Sequence, residues 1–232
     1  MKKIGFIGVY DKTDLIINVA KILTTAKKRV LIIDSTILQK SRYIVPVINP
    51  TKMYVTEYED IDVAIGFSNV DEIKKYLGIS EDKELDYDII LVDTDNIKGY
   101  RDFELQKADK RYFVTSFDVY SLKRGLETLR GLESMTSLTK IYFSKDMLKE
   151  DDDYLNFLSL GYKIMWEEDK IYFPIENGDL SIIYENQRVS KVKFRKLSIQ
   201  YKDGLAYIAE QILGSGSDGE IRRAIKAIEK GG

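Results

Sequence analysis

Apolar residues fall along this chain in two alternating patterns. Residues 3–9 form a short, nearly continuous apolar run, as a strand buried on both faces requires. From 12 to 26 the period changes: Leu15, Ile16, Val19, Ala20, Ile22, Leu23 and Ala26 share one helical face. Residues 29–33 form a second buried strand that ends at Asp34. The stretch 35–67 has little helical period. In it, 43–47, 54–58 and 61–67 read as strands, with Asn49, Pro50 and Thr51 as a turn between the first two. Residues 70–77 read as a helix opened by Ser68 or Asn69 and closed by Gly78.

Residues 88–92 (Asp-Ile-Ile-Leu-Val) give the clearest buried strand, running into Asp93. A short helix is expected at 100–106 and strands at 111–115, 140–143 and 170–173. Val119, Leu122, Leu126 and Leu129 step by three and four, which makes a helix. Further helices are expected at 152–160 and around Leu205, Ile208, Ala209 and Ile212. Strands alternating with helices imply right-handed crossovers: an α/β fold whose mostly parallel, twisted sheet carries helices on both faces. The organisation expected is one domain over 1–213, then a Gly- and Ser-rich joint and a short amphipathic tail helix within 214–232. In that tail, Ile221, Ala224, Ile225 and Ile228 share a face. The absence of bulky Trp, Phe or Leu from this face argues against a membrane anchor.

Composition narrows the chemistry. The 232 residues include no cysteine and no histidine. Disulfides, thiolate metal sites and cysteine-held iron–sulfur clusters are excluded within this sequence, as is the commonest general base. The formal net charge of −2 supplies no global basic field, so nucleic acid is not an expected partner. The basic segment 188–196 reads first as a solvated edge strand, and otherwise as a contact for an acidic partner, nucleic acid or a membrane surface. No stretch approaches the roughly 20 apolar residues that span a bilayer, and a cytoplasmic location is expected.

The candidate chemistry lies at strand ends. Ile7-Gly8-Val9-Tyr10-Asp11-Lys12-Thr13 joins the first strand to the first helix. Lys12 and Thr13 there have the chemistry to hold phosphate and magnesium; equally, they suit a solvated first helical turn. Asp34 and Asp93 each close a buried strand, where a carboxylate reaches a metal or merely begins a loop. Asp11 can act as a cap seated at the helix start.

On these segments the chain resembles the MinD/ParA-like P-loop ATPases. Residues 4–34 are similar to that family's first strand, phosphate loop, helix and second strand. Asp86-Tyr87-Asp88-Ile89-Ile90-Leu91-Val92-Asp93-Thr94 is similar to its magnesium-directed strand, and residues 114–122 to a later strand-to-helix step. The resemblance implies ATP and Mg²⁺ as cofactors, with Gly8, Asp11, Lys12, Thr13, Asp34 and Asp93 at the nucleotide and Thr13 and Asp93 at the metal. It also implies a homodimer.

The departures are specific. The family loop reads Lys-Gly-Gly-x-Gly-Lys-Thr, and its first lysine reaches the partner's nucleotide across a dimer. Ile7 stands in that place here, and Asp11 replaces the glycine before the conserved lysine. A carboxylate beside a phosphate is repelled by about 1 kcal/mol per charge pair at 4 Å even in bulk water. Thr36 stands where many partition-type relatives carry a second carboxylate, and Asp95-Asn96 replaces a Pro/Gly switch. The expected function is therefore a weakly nucleotide-binding or non-hydrolysing positioning factor that recruits protein partners. Its closest likeness within the family is the TadZ/CpaE type, which positions pili and other surface or secretion assemblies at the membrane or pole. The alternative is an active ParA-type ATPase of DNA partition. Direct membrane binding is not expected.

Overall fold

The computed structural model describes residues 1–48, 51–144, 149–174 and 177–231. The first half contains β1 (Lys2–Ile7), α1 (Thr13–Thr25), β2 (Val30–Asp34), α2 (Ser41–Ile44), β3 (Tyr54–Tyr58), β4 (Ile61–Ile65), α3 (Val70–Tyr76) and β5 (Ile89–Thr94). The second half contains α4 (Ile97–Asp102), a 3-10 turn at Leu105–Lys107, β6 (Lys110–Ser116), α5 (Val119–Leu129), β7 (Thr136–Phe143) and α6 (Lys149–Leu158). It ends with β8 (Ile164–Phe173), α7 (Asn177–Val189), α8 (Ile199–Leu213) and α9 (Asp218–Gly231).

The strands form one sheet in the order β3-β4-β2-β5-β1-β6-β7-β8. Every pairing is parallel except β3 with β4. Successive strand residues point to opposite faces. Ile32 accordingly faces the side of the sheet covered by α1, α8 and α9, while Leu31 and Ile33 face the side covered by α3, α4 and α5. This is the expected α/β architecture. Because β1 and β5 are buried on both faces, they show unbroken apolar runs.

The central elements lie where the sequence places them, and Asn69 caps α3 by accepting the Glu72 N–H at 2.9 Å. Several expectations are corrected. The strand expected at 43–47 does not form. The Asp34 carboxylate accepts the Ser41 N–H at 3.0 Å and turns the chain into α2. The proposed turn at Asn49 and Pro50 lies outside the described residues. The helix expected at 100–106 begins earlier, at Ile97, where Asn96 accepts the Gly99 N–H at 2.8 Å. Glu104 is left-handed (φ 53°) and interrupts it.

Strands β7 and β8 are longer than their apolar cores suggest. Glu167 satisfies the intervening polar groups, accepting from Ser137 at 3.1 Å and from Thr139 and Lys110. Segment 188–196 is not an edge strand. It closes α7 and continues as a loop that buries Val192 and Phe194. Helix α7 itself has no clear apolar period and was not expected.

The tail helix is docked rather than held away on its tether. Ile221, Ala224 and Ile228 are buried in the same core as α1 and α8. Ala224 allows close helix–helix approach, and the two isoleucines fill the space on either side of it. Among the described residues no helix is long and apolar enough to cross a membrane.

Candidate functional site

The C-terminal ends of β1, β5 and β2 converge on a cavity of about 390 Å³. Open parallel sheets bind ligands at such strand ends. Gly8 turns the chain out of β1 with φ +136°. A Cβ there would lie 2.2 Å from the Val114 carbonyl oxygen, so backbone proximity as well as dihedral angle demands glycine. Gly8 N–H donates to Thr94 O at 3.1 Å, fastening the loop to the end of β5. Tyr10 stacks on Phe143, with ring centroids 5.0 Å apart.

Lys12 is the residue before α1, and its side chain folds back beneath the loop. The ammonium donates to Gly8 O at 2.7 Å and lies 2.7 Å from Asp93 Oδ1. Only 3% of Lys12 is exposed, and Asp93 is equally buried. Burial pushes the Asp93 carboxyl up to about 7, with Lys12 opposing the shift and nearby Asp34 adding to it. The pair lies at the cavity floor, where Asp93 Oδ1 is buried with the Lys12 ammonium beside it and no hydrogen-bond partner.

Asp11 is held differently. Its Oδ1 accepts the Thr13 N–H at 3.2 Å, one of the groups that a helix start leaves without an intrahelical partner. Its Oδ2 pairs with the Lys40 ammonium. Lys40 also contacts Asp14 Oδ2 at 3.3 Å. Asp34 is turned into its own loop, accepting Thr36 Oγ1 at 2.6 Å, Thr36 N–H at 3.1 Å and Ser41 N–H at 3.0 Å. Gly8, Asp11, Lys12, Thr13 and Asp93 therefore meet at one place, whereas Asp34 acts from behind.

Sequence reasoning missed Lys40, Leu38, Tyr43 and Asp95, which complete the cavity wall. Leu38 and Lys40 come from the stretch after β2 that lacked periodicity, so no pattern marked them, and Tyr43 was read only as the start of a strand. Asp95 was noted only as a departure from the family's switch.

No family model matches the sequence, and no curated protein matches it. Solved structures do. A ParA family ATPase from Chlorobium tepidum TLS is 14% identical with a TM-score of 0.58, covering 92% of this chain and 98% of that one. A chain of the MinC:MinD cell division protein complex of Aquifex aeolicus is 17% identical with a TM-score of 0.56, covering 97% and 96%. Apo McdA of Cyanthece is 11% identical with a TM-score of 0.52, covering 97% and 99%. This chain has the ParA/MinD fold.

Against the ATP and Mg²⁺ that the family resemblance implies, the cavity offers an ammonium (Lys12), a hydroxyl (Thr13) and a carboxylate (Asp93), which are groups of the right kind. Lys12 would hold phosphate, and Thr13 and Asp93 would hold the metal. Among the described residues, no cluster of three or more acidic side chains could hold a cation on its own. Mg²⁺ would therefore arrive with phosphate oxygens, as it usually does. Lys12 and Asp93 are each other's partner, so binding requires that their ion pair be exchanged for new contacts.

Proposed function

We propose that this chain is a ParA/MinD-type positioning or assembly factor. It recruits a partner machine, such as a pilus or another surface or secretion assembly, by protein–protein contact, and hydrolyses nucleotide slowly or not at all. The observation that carries this reading is the buried Lys12–Asp93 pair, with Asp11 ion-paired at the helix start above it. An efficient phosphoryl-transfer site presents free cations to phosphate and a free carboxylate or amide to the attacking water. Here Asp11 is bound to Thr13 N–H and Lys40, and Asp95 to the Ile37 N–H at 3.0 Å and Asn96 Nδ2 at 2.9 Å. Thr36 offers a hydroxyl, which is a poor base.

Protein contact is supported by the cavity mouth, where Leu38 and Tyr43 are each 82% exposed beside Ile37. These side chains offer apolar area to a partner at the cavity mouth. A homodimer and recruitment to the membrane or pole through a partner belong to the same reading. ATP·Mg²⁺ would act as a weak ligand that favours one conformer over another.

Two measurements test this. A fluorescent fusion expressed in the native cell should gather at discrete sites; uniform fluorescence would overturn the positioning role. A phosphate-release assay with ATP·Mg²⁺ should show negligible turnover. Sustained turnover that vanishes in Lys12→Ala would favour an active ATPase of the DNA-partition kind instead.

A further inference from the structure

The family's first loop lysine is replaced by Ile7, which is fully buried in the sheet and offers no charge to the cavity. A second cation nevertheless enters from the opposite wall. Lys40, from the loop after β2, lines the same cavity as Lys12 and Thr13. Its side chain is 36% exposed, against 2% for Lys12. The two lysines therefore differ in freedom: Lys12 is locked in the floor and Lys40 is at the rim.

The partners of Lys40 are Asp11 and Asp14. Asp14 does not depend on Lys40 alone, since Gln187 Nε2 donates to both its oxygens at 2.9 Å. Asp11 uses one oxygen for the Thr13 N–H and the other for the Lys40 ammonium. A backbone N–H at a helix start together with an ammonium is the pair of donors that a phosphate seeks. The Asp11 carboxylate occupies both. It stands as an internal anion in the place of an external one. Partly exposed ion pairs are weak, so a polyphosphate carrying more charge than a carboxylate can compete for both donors.

We infer that Lys40 is a phosphate-binding residue of this cavity, supplying from within the same chain the second cation that the loop lacks. Asp11 latches it until a nucleoside triphosphate displaces the carboxylate. The inference rests on the reading that the cavity takes a nucleoside triphosphate. It adds the residue that recognises the phosphates and the contact that restrains it.

Calorimetric titration of ATP·Mg²⁺ into five proteins of this 232-residue chain tests it: wild type, Asp11→Asn, Asp11→Asn/Lys40→Met, Asp11→Asn/Lys40→Arg and Asp11→Asn/Lys12→Met. Asp11→Asn should bind at least tenfold more tightly than wild type, because the amide no longer holds the ammonium. Adding Lys40→Met should remove the gain, and Lys40→Arg in the same background should restore it. Equal affinity of Asp11→Asn and wild type would overturn the latch. Equal affinity of Asp11→Asn and Asp11→Asn/Lys40→Met would overturn the role of Lys40. If binding is then lost only with Lys12→Met, the nucleotide cavity stands without Lys40. Absence of binding in all five would overturn both the inference and the reading beneath it. A thermal melt of each protein without nucleotide establishes that lost binding is not lost folding, and Lys40→Gln replaces Lys40→Met if the latter melts early.

Discussion

The Gln187 side-chain amide donates to both carboxylate oxygens of Asp14 at 2.9 Å, across a sequence separation of 173 residues. The contact joins α7 to the first turn of α1, the helix that follows the Gly8–Lys12 loop. Burial pushes the Asp14 carboxyl up, and Lys40 and Gln187 pull it back. Gln187→Leu removes the neutral donor and leaves a partly buried acceptor short of a partner, so unfolding free energy should fall by about 1 kcal/mol. Urea titration measures it. An unchanged midpoint would mean that α7 is held by its apolar side alone.

Lys12→Met leaves the Asp93 carboxylate buried without its cation. Breaking one partner of such a pair costs about 3–5 kcal/mol. The loss should be largest near pH 8 and smaller near pH 5, where Asp93 can take up a proton. In the wild type the sign follows from the raised folded-state value. Asp93 contributes most to stability below its unfolded pKa of about 4, and the contribution is lost as pH rises through about 7. Relative to Asp93→Asn, wild-type stability should therefore decline over that interval. A flat difference in urea midpoints across it would refute the assignment.

Asp152 carries the opposite sign. Burial alone would raise its carboxyl, but Lys140, Lys170 and the Tyr142 hydroxyl outweigh that and hold it at about 2. Lys140 Nζ and Tyr142 Oη each lie 2.7 Å from Asp152 Oδ1, and Lys140 Nζ donates to Asn156 Oδ1 at 2.6 Å. This cluster ties α6 to β7 and β8. Its contribution is present above the unfolded pKa of about 4 and is lost as pH falls towards 2. Asp152→Asn should be clearly less stable than wild type at pH 7, and the two should converge near pH 2–3. Persistence of the full difference at pH 2 would show that packing, not charge, is what the substitution disturbs.

Ile221 is fully buried at the contact of α9 with α1 and α8. Ile221→Asp inserts a charge there, and the melting temperature should drop sharply, by an amount matching a loss of about 3 kcal/mol or more. Deletion of 218–231 should act in the same direction. Calorimetry that left the melting temperature unaltered in both would show that the helix is detached in solution.

The sequence by itself determined the parallel α/β frame. Buried strands such as Ile89–Thr94 and amphipathic helices such as Thr13–Thr25 are local patterns, readable because burial on two faces or one imposes its own periodicity. It also put Gly8, Asp11, Lys12, Thr13 and Asp93 at adjacent strand ends, since parallel strands bring their C-termini to one edge. Only the tertiary structure decided how these groups are paired. The Lys12–Asp93 and Asp11–Lys40 contacts join residues 81 and 29 positions apart, and nothing in the local pattern records which charge faces which. The docking of α9 and the burial of Val192 and Phe194 were decided there too. A helix with a weak apolar face is stable only where a neighbouring surface removes that face from water, and the neighbour is supplied by the fold.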